Sequence, residues 1–223
     1  MNTVTNSYSI DKRNKVKQIA DLARYDYATV HAILDAGIMA HAAFIQDESP
    51  VVVPMIYGRD GEIVFLHGAR KARVIRLLEK ADKVCINVTL LDGIVMARST
   101  FNSSMNYRSV TVFGTPTLIE GHDEKLAAMK VISENTMPGR WDELRESHDR
   151  EIKMAGVIAV RIDSASAKIS SGPPEDDDED YEIPIWAGVL PLTSQFGTLQ
   201  TDQRVLAGIK PSAAVLALQN RTL

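Results

Sequence analysis

The sequence predicts a mainly β protein, in which short antiparallel strands form a small barrel and helices flank it. Short β-rich segments follow one another from residue 38 to residue 67, separated by turn signals, which is typical of an antiparallel meander. Helical segments are few compared with strands, which favours a barrel over a layered α/β sheet. Gly-x-Gly-x-x-Gly and phosphate-loop motifs are absent from the sequence, so a doubly wound nucleotide-binding fold is not indicated.

The first half of the chain begins with a predicted helix and continues as strands. Apolar residues recur at three- and four-residue steps over 11–36, which predicts a helix, and Gly37 ends it. Three strands are expected next, at 38–45, 51–57 and 62–67. A second helix, from about residue 71 to residue 80, follows directly on the third of these strands.

The second half returns to strands and ends in less regular segments. Strands are expected at 84–91, 94–97, 107–113 and 157–162. Asp92-Gly93 is expected to be a hairpin turn, and the periodicity over 124–133 predicts a helix. The acidic run 175–180 is expected to be a solvated, mobile loop, because a calcium site would need alternating ligands and a glycine turn. The apolar segment 184–191 is expected to pack back on the sheet, and the tail 198–223 to be coil with a short segment around 213–218.

Composition limits the classes of function. With 45% hydrophobic residues, the 223 residues can form one large core, and no linker divides them, so we expect a single domain over 1–223. The net charge of −4 makes nucleic acid an improbable main partner, and no apolar stretch is long enough to span a membrane. The lone Cys85 excludes an internal disulfide framework, and Met1–Ser7 lack an apolar signal core. We therefore expect a cytoplasmic protein.

A phosphate site is expected where the strand 62–67 gives way to the following helix. Gly68 and Ala69 are small enough for a ligand to approach the backbone, and a helix start carries partial positive charge. Lys71 and Arg73 lie at this start, where the helix dipole disfavours cations, so a bound anion would remove the conflict. A solvated helix end is the alternative. His67 ends the strand, where a planar group attached to the phosphate could lie, although a core or interface histidine fits the pattern as well.

Several other residue patterns favour ordinary structural roles or exclude a type of chemistry. Arg108 opens a strand, where arginines are commonly just exposed, and Trp186 suits the role of a large core filler. The histidines show no His-x-x-x-His spacing, so a zinc site is not expected. No serine lies in a Gly-x-Ser-x-Gly elbow, so hydrolase chemistry has no visible nucleophile.

Six motifs in a defined order support a family assignment. They are Pro50-x-x-x-Pro54-Met55-x-Tyr57, Asp60-Gly61, Leu66-His67-Gly68-Ala69, the stretch 88–93, the stretch 105–114 and Trp186-Ala187-Gly188-Val189-x-Pro191. Together they resemble the pyridoxamine 5′-phosphate oxidase-like flavoproteins of the FMN-binding split-barrel type. Within that family, the flavin-nucleotide-binding proteins related to the nitroimidazole reductases are most similar. The resemblance covers roughly residues 20–195, which we take as the core of the domain, with the N-terminal helix and the C-terminal tail peripheral.

The resemblance implies a six-stranded antiparallel split barrel, a homodimer and one FMN in each of two clefts between the subunits. By matching position, Arg73 is the basic phosphate ligand and Lys71 its helper, and His67 contacts the cofactor or a bound small molecule and is the catalytic candidate. The cofactor-binding positions implied are Pro54, Met55, Ile56, His67, Gly68, Ala69, Lys71, Arg73, Arg108, Ser109 and Trp186.

Two departures from the family pattern guide the ranking of the functional hypotheses. Ala72 stands where the family has Ser or Gly, and the Arg-Leu-His stretch that binds substrate in true pyridoxamine-phosphate oxidases is missing after Trp186. The first hypothesis is an FMN-dependent oxidoreductase that acts on a small molecule or takes electrons from a small donor. The second is a protein that binds, stores or senses FMN, or haem, without turnover. Vitamin B6 oxidation ranks third.

Overall fold

The computed structural model of the protein describes residues 6–223. Residues 1–5, which carry part of the expectation that no signal segment is present, lie outside that range. The strands are β1 (Ala23–Arg24), β2 (Met39–Gln46), β3 (Ser49–Asp60), β4 (Ile63–Ala69), β5 (Val84–Met96), β6 (Ser104–Ile119), β7 (Ala155–Ser170) and β8 (Gly188–Pro191). The α-helices are α1 (Tyr27–Ala36), α2 (Arg73–Lys80), α3 (His122–Thr136), α4 (Asp149–Met154) and α5 (Ala213–Leu218).

Six of the strands close into a ring. In order around the ring they are β2, β3, β4, β7, β6 and β5, and β5 pairs with β2 again. Every one of these pairings is antiparallel. The predicted mainly β fold with a six-stranded antiparallel barrel is therefore confirmed. The two short strands lie outside the ring, β1 against β7 and β8 against β5.

The barrel interior follows from the alternation of apolar residues along each strand. On β2, for example, Ala40, Ala42 and Phe44 are buried, while Met39 and Ile45 point outward. The inward residues of the six strands form one continuous hydrophobic core. Helix α2 closes one end of this core, because its residues Ile75 and Leu78 are completely buried.

Helix α3 lies directly on the outer surface of β3 because Gly58 has no side chain. A Cβ atom at Gly58 would lie 2.7 Å from the backbone carbon and oxygen of Val131 and 2.8 Å from the Cα of Ile132. We expect Gly58→Ala to push α3 away from the sheet and to lower the free energy of unfolding by about 1–3 kcal/mol. Urea unfolding compares it with Gly197→Ala, whose Cβ would meet no atom within 4 Å. Equal losses at both positions would contradict the close packing of α3.

The predicted helix over 11–36 is wrong in its first part. Only Tyr27–Ala36 is α-helical, and the carboxylate of Asp26 caps it by accepting a hydrogen bond from the backbone N–H of Thr29 at 2.8 Å. Upstream, the Asp11 carboxylate accepts from the backbone N–H of Asn14 at 3.0 Å, a local turn that competes with helix formation. The amide of Asn14 in turn donates to the carbonyl of Ala165 on β7 at 3.0 Å. The segment ahead of α1 is thus mostly irregular, and this hydrogen bond holds it against the barrel.

The hairpin expected at Asp92-Gly93 is also wrong, because β5 continues through it. The strand shifts register with a bulge between Leu91 and Gly93, and the Asp92 carboxylate accepts two hydrogen bonds from Arg108 on the neighbouring strand, at 2.7 and 2.9 Å. The chain reverses instead between Met96, the end of β5, and Ser104, the start of β6. The strands β6 and β7 are also longer than the sequence patterns predict.

The acidic run is held in place rather than free. The Asp176 side chain is fully buried and forms an ion pair of 2.8 Å with Arg98, whose guanidinium also lies over the ring of Tyr181. A 3₁₀ turn covers Asp178–Glu182. The expectation of a mobile loop over 175–180 is therefore wrong at Asp176, which fixes the run to Arg98. The following apolar segment does pair with the sheet at β8, as expected, but Trp186 just before it is exposed.

Candidate functional site

The outer surface of the neighbouring strands β3 and β4 forms the first wall of the candidate site. Tyr57 pairs with Leu66 across these strands, so that Ile56 and His67 are cross-strand neighbours with outward side chains. Both line a cavity of about 160 Å³, closed on the other side by the end of α3 and by Trp141. On the next strand, Met39 pairs with Ile56 and is exposed as well.

His67 is half-buried, and this burial has an electrostatic consequence. The cost of placing a charge away from water lowers the pKa of the imidazole below its ordinary value of 6.5. The ring is therefore neutral near pH 7 and offers one nitrogen as hydrogen-bond donor and the other as acceptor. Such a group can orient a planar ligand or hold a proton beside it.

The same burial predicts a pH dependence of stability. In the folded protein the pKa of His67 is lowered, whereas in the unfolded chain it keeps its ordinary value of 6.5. Near and below pH 6.5 the unfolded chain therefore binds more protons at this residue than the folded protein does. The free energy of unfolding should therefore fall as the pH falls through that value, and level off below the folded pKa. His67→Gln should remove this part of the slope. Denaturant unfolding of both proteins at several pH values between about 7.5 and 5 measures how the free energy of unfolding changes with pH. Parallel plots of that free energy against pH for the two proteins would contradict the prediction.

The second wall of the site is the start of α2. Its N-cap residue, Ala72, has no side chain that can accept a hydrogen bond from the helix. The carbonyl of Ala72 accepts from Arg76, which is the first intrahelical bond, so the backbone N–H groups of residues 73–75 have no intrahelical acceptor. A helix start of this kind can bind an anion through backbone N–H groups.

Three cations surround this helix start. Lys71, Arg73 and Arg76 are exposed, and none of them forms an ion pair with any of residues 6–223. Their neighbour Arg70 differs, since it forms an ion pair of 3.0 Å with Glu79. The structure therefore leaves positive charge without a carboxylate partner where the N–H groups of α2 are free. This combination fits a phosphate group.

The structure brings part of the predicted set together. Pro54, Ile56, His67 and Ala69 lie outward or exposed on β3 and β4, next to the start of α2. The side chain of Met55 points into the core, so that only its backbone can face a ligand. Gly68 also faces inward, since a Cβ atom at this position would lie 3.2 Å from the side chain of Ile75 of α2. The cofactor roles of all these residues stay predictions.

The remaining predicted residues lie elsewhere in the single chain. Arg108 is held by Asp92, which raises the pKa of its guanidinium through their hydrogen bonds, and the Ser109 hydroxyl lies 3.4 Å from the carbonyl of Lys168. Both are on β6, which β7 separates from β4. Trp186 lies just ahead of β8, which pairs with residues 93–96 of β5 and not with β3 or β4. A single chain therefore does not place these three residues beside His67.

The sequence analysis missed two residues on the outer surface. His41 of β2 lies outward, pairs with Pro54 on one side and with Asn87 on the other, and forms no side-chain hydrogen bond in the described part of the chain. Arg76 adds the third cation of α2. The alternation of β2 could have placed His41 on the same side as Met39, but the sequence does not say which strand lies next to β2.

Two further observations limit the chemistry. In the part of the chain that the structure describes, no group of three or more His, Cys, Asp or Glu side chains could hold a metal ion. Burial raises the pKa of the Cys85 thiol, which makes it a poor nucleophile.

Among residues 6–223, no helix has the length and apolar character needed to cross a membrane.

Comparison with known proteins agrees with this geometry. A family model described as pyridoxamine 5′-phosphate oxidase matches residues 26–169. The flavocytochrome Anf3 from Azotobacter vinelandii is 37% identical, with a TM-score of 0.89 over 95% of this chain and 98% of that one. A FAD- and haem-binding protein from Mycobacterium smegmatis is 36% identical, with a TM-score of 0.85 over 89% of this chain and 98% of that one.

A more distant structure shares the fold alone. It is a Bacteroides thetaiotaomicron protein assigned to 5-nitroimidazole antibiotic resistance, 22% identical, with a TM-score of 0.57 over 66% of this chain and 86% of that one. No curated protein sequence matches the chain.

The closed antiparallel barrel, with an uncapped cationic helix at the end of β4, defines a split-barrel protein. The extent of the family match and the two relatives above 35% identity then identify the family. The chain belongs to the pyridoxamine 5′-phosphate oxidase-like split-barrel family, and the resemblance stated from the sequence motifs is confirmed.

Proposed function

We propose that the protein is a homodimeric flavin-binding oxidoreductase that acts on a small molecule in a cleft between its subunits. The observation that carries the proposal is the set of three cations, without ion-pair partners among residues 6–223, around the N–H groups at the start of α2. They lie at the end of the strand that carries His67. The names of the two relatives above 35% identity, a flavocytochrome and a FAD- and haem-binding protein, support a flavin at this place.

The residues present fit such a cofactor. Lys71 and Arg73 would neutralise the phosphate, together with the N–H groups at the start of α2, and the outward side chains of Pro54 and Ile56 would offer an apolar surface to a planar ring. His67, neutral near pH 7, would orient a substrate or hold a proton at one ring nitrogen. A bound flavin supplies the electron-transfer chemistry, which no side chain of this site can supply.

FMN is the cofactor we propose first, because one phosphate group matches Lys71 and Arg73 at the helix start. FAD is the alternative, and Arg76 favours it. The third cation extends the positive charge along α2, as the second phosphate of a dinucleotide would require. The name of the Mycobacterium smegmatis relative also supports FAD.

Haem binding without turnover is the second candidate function. His41 and His67 both lie on the outer surface with imidazoles that form no hydrogen bond within residues 6–223, and a histidine is the commonest protein ligand of haem iron. The relatives' names support this candidate too. Pyridoxamine 5′-phosphate oxidation ranks last, since the Arg-Leu-His stretch is absent after Trp186. A cytoplasmic location, with Cys85 kept reduced, completes the proposal.

The purified protein tests these possibilities directly. A flavin absorption band, with FMN or FAD identified by mass after release, would support the proposal, and a Soret band alone would favour haem. Anaerobic addition of NADH or NADPH should then bleach the flavin, and an added acceptor should restore it, if the protein turns over. A colourless protein that binds neither FMN nor FAD on titration would overturn the proposal.

A further inference from the structure

Two cavities meet at Trp141. The first, the inner cavity, is the space of about 160 Å³ that His67 lines together with the end of α3. The second, the outer cavity, has a volume of about 630 Å³ and lies between the first half of α3 and the segment 141–149. Within residues 6–223, Trp141 is the only residue that lines both of them. Trp141 therefore separates the small space beside His67 from a much larger one.

The turn that carries Trp141 is fixed to two helices. The carboxylate of Glu134, on α3, accepts hydrogen bonds from the backbone N–H groups of Gly139 at 2.7 Å and of Trp141 at 3.4 Å. Two residues further on, the Glu143 carboxylate accepts a hydrogen bond of 2.6 Å from the hydroxyl of Ser212, the N-cap of α5. The partition between the cavities is therefore attached to α3 and to the C-terminal segment, and the inner cavity has a defined size.

The inner cavity has room for one ring. An apolar cavity of about 150 Å³ can hold one benzene molecule, and the inner cavity is of this size. The fused ring system of a flavin is too large for it. Because the inner cavity opens on the outer surface of β3 and β4, where Ile56 would also contact the proposed flavin, it suits the small molecule that reacts beside the flavin.

The lining of the inner cavity limits the chemistry of that ring. Its apolar lining residues are Ile56, Met129, Ile132, Met137 and Trp141. None of the residues 6–223 that line it is charged, since His67 is neutral near pH 7, and a charged ligand would lose its hydration without gaining a counter-charge. The Thr136 hydroxyl already donates to the carbonyl of Ile132 at 3.1 Å, whereas the side chains of His67 and Ser133 form no hydrogen bond within residues 6–223. An uncharged ring with a hydroxyl or carbonyl group would give them a partner.

We infer that the inner cavity binds the substrate, that this substrate is an uncharged molecule with a single ring and a hydrogen-bonding group, and that Trp141 limits its size. The inference rests on the proposed function, because it takes the molecule beside His67 as the substrate of the flavin protein. A larger ring system would need the space that the indole of Trp141 occupies. A smaller side chain at this position would join the inner cavity to the outer one and admit fused rings.

Binding of phenol and 2-naphthol tests the size limit without any turnover. Each probe carries one hydroxyl group, and they differ by one fused ring. Isothermal titration calorimetry gives the affinity of 2-naphthol relative to phenol, and this ratio should rise at least about 10-fold in Trp141→Ala, since burying a further ring is favourable once there is room. Leu144→Ala is the matched control, because Leu144 lines only the outer cavity, and it should leave the ratio unchanged. Trp141→Leu takes the place of Trp141→Ala if that variant fails to fold.

A second variant tests whether the probe lies in the inner cavity. Ser133→Ala removes a hydroxyl that forms no hydrogen bond within residues 6–223, so the protein should fold normally. The affinity for phenol should fall about 3- to 10-fold, as expected for the loss of one hydrogen bond. The affinity for toluene, which has no hydrogen-bonding group, should stay the same. Equal changes for the two probes, or none for either, would place the phenol outside the inner cavity and overturn the inference.

Further outcomes would also overturn the inference. An unchanged ratio in Trp141→Ala would show that Trp141 does not limit the size of the ligand. Displacement of FMN by phenol would show that the inner cavity holds part of the flavin instead of the substrate.

Titration of the same samples with FMN distinguishes this inference from the proposed function. FMN binding without phenol binding at millimolar concentration would remove the inference and leave the flavin site in place. Phenol binding with the expected ratios, but without binding of FMN or FAD, would remove the proposed oxidoreductase and leave a site for single-ring molecules whose size Trp141 limits.

Discussion

Replacing Arg73 with Glu is expected to abolish flavin retention while the barrel stays folded. Arg73 is the first residue of α2, it is exposed, and its side chain forms no ion pair or hydrogen bond within residues 6–223, so no such bond is lost on replacement. A carboxylate at a helix start is favourable for the helix itself, which makes a loss of stability unexpected. Facing a bound phosphate, however, it replaces an attraction with a repulsion. We expect the dissociation constant for FMN to rise more than 100-fold, about 3 kcal/mol.

The controls for this prediction come from the same helix. Lys80→Glu makes the same charge change at the last residue of α2, away from the free N–H groups, and should change flavin affinity less than about threefold. Arg73→Lys keeps the charge and should retain part of the affinity. Titrations followed by flavin fluorescence compare the three variants. Unchanged affinity in Arg73→Glu would remove the proposed phosphate site, and an equal loss in Lys80→Glu would assign the effect to net charge alone.

The barrel could be predicted because its determinants are local. The alternation along β2 and β4 shows directly which side chains point inward, and small residues and turn signals mark where these strands end. The predicted start of α2 lies within two residues of the observed one, at Arg73. The cations at that start are consecutive or nearly so in sequence, and for this reason a phosphate site could be proposed from the sequence pattern.

The departures have long-range causes. Apolar periodicity over 11–36 is compatible with a helix, but the buried amide of Asn14 hydrogen-bonds to Ala165, more than a hundred residues away. The bulge that carries β5 through Asp92-Gly93 is accompanied by the contact with Arg108 across two strands. The anchor of the acidic run, Arg98 with Asp176, likewise joins distant segments. None of these partners can be paired from spacing alone.

In the candidate site, too, residues close in sequence could be predicted together, whereas residues from distant segments could not. His67 and Lys71 are close in sequence, and the structure places them at one end of β4 and the start of the next helix. His41 comes from another strand and enters the site only through its pairing with Pro54, a register that the sequence does not encode in any short motif. Arg108 and Trp186 are distant from His67 within one chain, so their predicted roles depend on the second subunit of the proposed homodimer.

The position of the first turn of α2, and with it the proposed phosphate site, depends on the packing of Ile75. Ile75 is completely buried and lies over a pair of glycines that face each other across β4 and β7, Gly68 and Gly156. A Cβ at these glycines would lie 3.2 and 2.7 Å from atoms of Ile75, which shows how closely the helix approaches the strands. Removing the side chain would leave a cavity at this contact and free the first turn of α2 from the sheet.

We therefore expect Ile75→Ala to lower the free energy of unfolding by about 2–5 kcal/mol, and Ile75→Val by about 0.5–1.5 kcal/mol. Because the N–H groups that face the proposed phosphate belong to the turn that Ile75 fixes, flavin affinity should fall in the same order even where the protein remains folded. Denaturant unfolding of the flavin-free protein measures the first effect, and flavin titration at a temperature well below the transition measures the second. Loss of stability in Ile75→Ala without loss of affinity would show that flavin binding does not require α2 to be fixed on the barrel.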